Sequence, residues 1–107
     1  MTDYKKYINV VADFPKDGIF FKDISPLLAN DEIFKGAIGD MGRLVKNPKY
    51  WVGVDARGFI FASALSIIYG GGVILCRKKG KLPPPVQTYE YNTEYSSDVL
   101  EIKELDN

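Results

Sequence analysis

Tyr4, Tyr7, Ile8 and Val11 recur at i, i+3, i+4 and i+7, a spacing that predicts a short amphipathic helix over 3–11 capped by Thr2 or Asp3. Phe14-Pro15 ends that pattern, and Lys16-Asp17-Gly18 has the composition of a turn. Ile19, Phe20 and Phe21 form a brief extended apolar segment. Asp23-Ile24-Ser25-Pro26 predicts the cap and first turn of a short helix, where a proline's missing N–H is no loss. Asn30 and Asp31 open the clearest helix. Ile33, Phe34, Ala37, Ile38, Met41, Leu44 and Val45 hold one face of it to about Lys46, and Asn47-Pro48 stops it. Gly36, Gly39 and Gly42 lie on another stripe. Each costs about 1 kcal/mol relative to Ala inside a helix, so the stripe marks either a close-packing groove or a weak helix.

The second half of the chain changes rhythm. Trp51-Val52-Gly53-Val54 has the length of a buried strand, Asp55-Ala56-Arg57-Gly58 breaks it, and Phe59 to Tyr69 reads as a largely buried helix. Gly70-Gly71-Gly72 ends that helix, and Val73-Ile74-Leu75-Cys76 is a second buried strand. Strand, helix and strand with tight connections predict a parallel βαβ unit. A polar loop with three consecutive prolines follows, from Arg77 to about Val86. Gln87 to Tyr95 alternates polar and aromatic residues, as a hairpin or a lid does, and Val99-Leu100-Glu101-Ile102 predicts one last strand. No internal repeat is visible.

Composition narrows the function. The 107 residues suffice for one domain, and 46% hydrophobic with 26% charged residues is an ordinary globular mix. Fourteen Lys and Arg balance fourteen Asp and Glu, so the basic excess of a free-standing nucleic-acid binder is absent. There is no histidine, which excludes Ser-His-Asp and Cys-His nucleophile systems and His-ligated zinc. Cys76 is the only cysteine, so no disulfide forms within the chain and a reducing compartment is expected. Met1 to Lys6 is polar with no apolar run behind it, and Gly58 to Tyr69 falls short of the ~20 residues of a membrane span. A soluble, cytoplasmic protein is expected, with no membrane partner.

Asp55-Ala56-Arg57-Gly58 is the most informative site. Ligands of parallel sheets bind outside the carboxyl ends of the strands. A loop there, ahead of a helix N-terminus, offers N–H groups and a positive dipole end to an anion. Arg57 adds a planar fork suited to phosphate, and Gly58 permits close backbone approach. The same tetrapeptide also serves as an ordinary strand-to-helix turn. Arg77-Lys78-Lys79-Gly80-Lys81 emerges on the same rim with four cations in five residues, either a clamp for a polyanion or a solvated basic loop. Phe20-Phe21-Lys22-Asp23 sets two aromatics beside a charge pair, a combination that either stacks on a flat heterocycle or fills core. Glu94-Tyr95 places a carboxylate and a phenol after the long loop, where a lid would bring them over a reaction centre.

These segments together resemble the adenine phosphoribosyltransferases. Asp13 to Leu28 is similar to the family's opening segment, and Gly53-Val54-Asp55-Ala56-Arg57-Gly58-Phe59-Ile60-Phe61 to its pyrophosphate loop. Arg77-Lys78-Lys79-Gly80-Lys81-Leu82-Pro83, Tyr91-Asn92-Thr93-Glu94-Tyr95 and Asp98-Val99-Leu100-Glu101 resemble its flexible lid. The resemblance implies an α/β fold of the type I phosphoribosyltransferase kind, a parallel sheet with flanking helices, in a single incomplete domain over 1–107 with a flexible lid at 77–95. It implies purine salvage: transfer of phosphoribose from phosphoribosyl pyrophosphate to adenine, giving AMP and pyrophosphate. Mg²⁺ would arrive on the substrate's phosphates rather than in a protein cage, and the protein would be a homodimer. Phe21 would stack on adenine, the backbone at Phe20 would read its edge, and Lys22 stands where the family usually has Arg. Asp55, Ala56, Arg57 and Gly58, with the Asp55-Ala56 peptide cis, would hold pyrophosphate together with Arg77 and Lys81. Arg57, Glu94 and Tyr95 would serve catalysis.

Three departures qualify that picture. The family's ribose-phosphate loop, an acidic pair followed by Thr-Gly-Gly-Thr, is not among these residues, and an uncovered apolar sheet edge is expected in its place. This portion is therefore expected to be inactive or poorly active alone. Lys22 lacks the planar fork of Arg, and Ser96-Ser97 stands where the family tends to have Gly. The alternative reading is a non-catalytic purine- or nucleotide-binding or interaction fragment.

Overall fold

Pairing between two short strands organises the start of the chain in this computed structural model, which describes residues 2–92 and 97–105. The chain divides into two compact units, Met1–Leu44 and Val45–Asn107. In the first, a 3-10 turn at Tyr4–Tyr7 is capped by Asp3, whose side chain accepts from the Lys5 N–H. Strand β1 (Asn9–Ala12) follows. The helix expected over 3–11 is thus confined to its first turn. Asn9-Val10-Val11 pairs instead with β2 (Phe20–Asp23), antiparallel and with Val11 opposite Phe21. β-branched residues suit a pleated strand, and a pairing partner overrides a weak helical spacing. The connection turns at Gly18, whose φ of +86° glycine adopts without strain and whose N–H donates to Asp13 Oδ1 at 2.9 Å.

Helix α1 (Ser25–Ala29) carries Pro26 in its first turn as expected. Asp23 Oδ1 accepts from both the N–H and the hydroxyl of Ser25. Helix α2 (Asp31–Gly42) is capped by Asn30, which accepts from the Ile33 N–H at 3.1 Å. It ends four residues before the expected Lys46, at the third glycine of the stripe. Ala37 and Ile38 are buried as the apolar face requires, whereas Leu44 lies beyond the helix end, 85% exposed. At Gly36 the stripe is a packing groove: a Cβ there would stand 3.2 Å from the Tyr4 hydroxyl, which donates to Asp40.

The second unit is a four-stranded mixed sheet in the order β3-β4-β6-β5. Strand β3 (Tyr50–Val54) runs parallel to β4 (Gly72–Lys78), with helix α3 (Arg57–Tyr69) as the crossover. The parallel βαβ unit is present, its helix starting two residues earlier than the pattern suggested. Strands β5 (Val86–Asn92) and β6 (Ser97–Lys103) form a hairpin, and β6 adds antiparallel to β4. The polar loop is consequently shorter than expected, 79–85, because β4 continues through Arg77 and Lys78. The last strand is longer than expected at both ends.

Strand β3 and helix α3 meet through glycine. A Cβ on Gly53 would stand 2.7 Å from the Gly58 carbonyl oxygen and 3.0 Å from the Ala62 Cβ. The far end is tied by Trp51 Nε1, which donates to the Gly70 carbonyl at 2.9 Å, and by Gly72 N–H on the Lys49 carbonyl at 2.9 Å. Strand β3 is an edge of the sheet, and Val52 and Val54, on one face of it, are about half exposed. No helix among the described residues is long and apolar enough to cross a membrane.

Candidate functional site

Two groups of residues carry the candidate chemistry, one in each unit. In the first, strand alternation sorts Phe20-Phe21-Lys22-Asp23 onto two faces. Phe21 and Asp23 join Val11, Phe14 and Ser25 around a cavity of about 460 Å³. The Phe14 and Phe21 rings meet edge to face, centroids 5.3 Å apart and planes at 71°. The sequence pattern did not single out Phe14. The signal for it lies in the paired register, which sets the chain after β1 against Phe21. Phe20 and Lys22 fall on the other face, Phe20 exposed and Lys22 lining a second cavity with Lys5, Ile8 and Val10.

In the second unit, parallel register sets the ends of β3 and β4 side by side, Val54 opposite Cys76. The next residues extend the ladder: Asp55 N–H donates to the Cys76 carbonyl at 2.9 Å. Arg77 Nε donates to Asp55 Oδ2 at 3.0 Å, and the Arg77 guanidinium lies 5.9 Å from the Phe59 ring centroid. Both charged partners are mostly buried, with side chains 30% and 21% exposed. The Asp55-Ala56 peptide is cis. Arg57 is the first residue of α3 and exposed, so the site sets a guanidinium at the N-terminal end of a thirteen-residue helix. Gly58, against Gly53, fixes where that helix begins.

The basic turn continues from β4. Lys79 N–H donates to the Val99 carbonyl at 3.1 Å, and Lys81 N–H to the Lys78 carbonyl at 3.2 Å. Gly80, at φ +87°, donates its N–H to Glu101 Oε1 at 2.8 Å. Lys103 Nζ closes the loop's other end on the carbonyls of Pro83 and Pro84 at 2.8 and 3.0 Å. Cys76 is 5% exposed, and burial pushes its thiol up from the ordinary value, so it is no candidate nucleophile. Glu94 and Tyr95 lie outside the described residues. Among the described residues no three His, Cys, Asp or Glu side chains cluster as a metal site.

A mixed α/β sheet in which Arg77 on β4 meets Asp55 in the loop leaving the parallel strand β3, ahead of a helix opened by Arg57, resembles the framework of the type I phosphoribosyltransferases. Several relatives bear the name adenine phosphoribosyltransferase. A Mycoplasmopsis pulmonis protein named adenine phosphoribosyltransferase is 48% identical over 99 residues, covering 92% of this chain and 58% of its own length. The crystal structure of adenine phosphoribosyltransferase from Rhodothermus marinus superposes with a TM-score of 0.84 at 36% identity, over 94% of this chain and 58% of that one. The Saccharomyces cerevisiae enzyme, solved with an imino-altritol bisphosphate and adenine, gives 0.76 at 34% identity, over 94% and 60%. No protein-family profile matches the chain. In sequence and fold the chain is similar to a portion of proteins named adenine phosphoribosyltransferase, and it spans about 58% of the length of the curated relatives it matches.

Proposed function

We propose that the chain serves purine salvage by transferring phosphoribose from phosphoribosyl pyrophosphate to adenine, with AMP and pyrophosphate as products. The observation that supports this best is the pairing of Asp55 and Arg77 at neighbouring strand ends, beside Arg57 at the start of α3. Departure of pyrophosphate leaves positive charge on the sugar and negative charge on the leaving group. Fixed cations and N–H dipoles at the strand ends stabilise the second of these. Arg57, Arg77, Lys81 and the amides of Ala56 and Gly58 take that role, with the Asp55 carboxylate holding Arg77 in place. Magnesium, bound to the substrate's own phosphates rather than to protein ligands, would supply further neutralisation of leaving-group charge.

Phe21 stacks on the purine in the first unit, the Phe20 backbone reads the base edge, and Lys22 occupies the neighbouring position. Glu94 and Tyr95, at the end of a lid over 77–95, close over the reacting carbon and exclude water that would hydrolyse it. A homodimer in the cytoplasm, working as a single domain, completes the proposal.

Titration calorimetry of the 107-residue chain with adenine and with pyrophosphate tests the two halves separately. Micromolar-to-millimolar binding of each is expected, whereas AMP formation from labelled adenine at ordinary enzyme rates is not, because the acidic pair and Thr-Gly-Gly-Thr cradle are not among these residues. Failure of pyrophosphate to bind the folded chain would sink the reading.

A further inference from the structure

Glu101 is a buried carboxylate, 7% exposed, in a sheet whose other buried side chain among the described residues is Cys76. It sits at the centre of one cross-strand row, opposite Arg77 on β4 and opposite Thr88 on β5. Its two oxygens go to two different segments: Oε1 accepts from the Gly80 N–H at 2.8 Å, and Oε2 from the Thr88 hydroxyl at 3.1 Å. Burying a carboxylate costs several kcal/mol unless its oxygens are satisfied, and these are. A negative charge beside a basic, anion-seeking turn also works against anion binding, so electrostatics does not explain the residue. Geometry does. Gly80 lies between Lys79 and Lys81, and its N–H is held by a side chain whose own strand is paired to Arg77.

We propose that Glu101 is a positioning residue that pins the Gly80 turn to β6 and so holds Lys81 and Arg77 in one arrangement for pyrophosphate. This deepens, and rests on, the pyrophosphate reading above. Reach, rather than charge, is what the role requires. Glu101→Gln keeps the acceptor at the same distance and removes the charge. Glu101→Asp keeps the charge and withdraws it by one methylene.

The experiment measures two quantities on the 107-residue chain: hydrogen exchange at the Gly80 amide by NMR, and affinity for inorganic pyrophosphate by calorimetry. Glu101→Gln is expected to match the parent in both. Glu101→Asp is expected to lose Gly80 protection and to weaken pyrophosphate about tenfold, the upper end for one ordinary hydrogen bond. Thr88→Val is the milder variant should Glu101→Asp fail to fold, with a roughly two- to threefold loss and faster Gly80 exchange expected. Pyrophosphate affinity unchanged in folded Glu101→Asp, or in Thr88→Val where the former does not fold, overturns the proposal. So does equal weakening in Glu101→Gln, which would assign the effect to charge. A parent chain that binds no pyrophosphate, with Gly80 protected all the same, sinks the pyrophosphate reading itself and this inference with it.

Discussion

Arg77 and Asp55 form an ion pair at 3.0 Å that ties the continuing end of β4 to the loop leaving β3. Register brings them together: they directly follow the paired residues Cys76 and Val54. The Phe59 ring, 5.9 Å from the guanidinium, adds a flat neighbour to the pair. A planar fork presents donors in fixed directions to a carboxylate and a phosphate oxygen at once, whereas an ammonium is a flexible point charge without that preset geometry. Arg77→Lys is therefore expected to keep the charge and still weaken pyrophosphate about fivefold or more, with Arg77→Ala worse, both read by calorimetry. Equal affinity in Arg77→Lys and the parent would show that only charge matters at this position.

Phe14 meets Phe21 edge to face, and both line the cavity in the first unit. Such pairs contribute about 0.5–1.5 kcal/mol beyond the area they bury. Phe14→Ala should free the Phe21 ring and lower adenine affinity about fivefold, while Phe21→Ala should abolish measurable binding. Titration of both variants with adenine checks this, and a Phe14→Ala chain that binds like the parent would separate the ring pair from base recognition.

Gly53 leaves no room for a side chain: a Cβ would stand 2.7 Å from the Gly58 carbonyl oxygen. Since that atom belongs to backbone, either β3 or the start of α3 must move. Gly53→Ala is expected to cost about 1–3 kcal/mol in urea unfolding. Because Gly58 stands in the first turn of the helix that Arg57 opens, pyrophosphate affinity should fall as well. Undiminished stability would mean that strand and helix separate without penalty.

Asp98 contributes an acid-side pH dependence. Its carboxyl is held below the usual value first by the Val99 N–H at 2.9 Å, with Lys78 at 3.5 Å and the Tyr91 hydroxyl at 3.2 Å adding to the effect against partial desolvation. A carboxyl whose value is lower in the folded chain stabilises the fold fully above its unfolded value, near about pH 4, and loses that contribution as pH falls through the folded value. The stability difference between the parent and Asp98→Asn should thus be constant at neutral pH and shrink below about pH 4. A difference that persists unchanged into that acid range would assign the effect to packing.

Local signals carried much of the fold. The Asn30 cap, Pro26 in the first turn of α1 and the strand–helix–strand rhythm from Tyr50 to Lys78 each arise within a few residues, so the pattern of apolar and breaking residues exposes them. The loop at Asp55 was visible for the same reason. The start of the chain was less so. Tyr4, Tyr7, Ile8 and Val11 satisfy a helical period, and only the presence of β2 decides that Val10 and Val11 extend.

The sequence by itself determined which residues bear charge, which bear rings, where the chain turns and which family it resembles, because those properties are fixed by residue type and short spacing. Tertiary structure alone decided that Arg77 meets Asp55, that Phe14 meets Phe21, and that Glu101 holds Gly80. Each of these links segments from seven to more than twenty residues apart, and their meeting depends on strand register, where a shift of one residue turns a side chain to the opposite face.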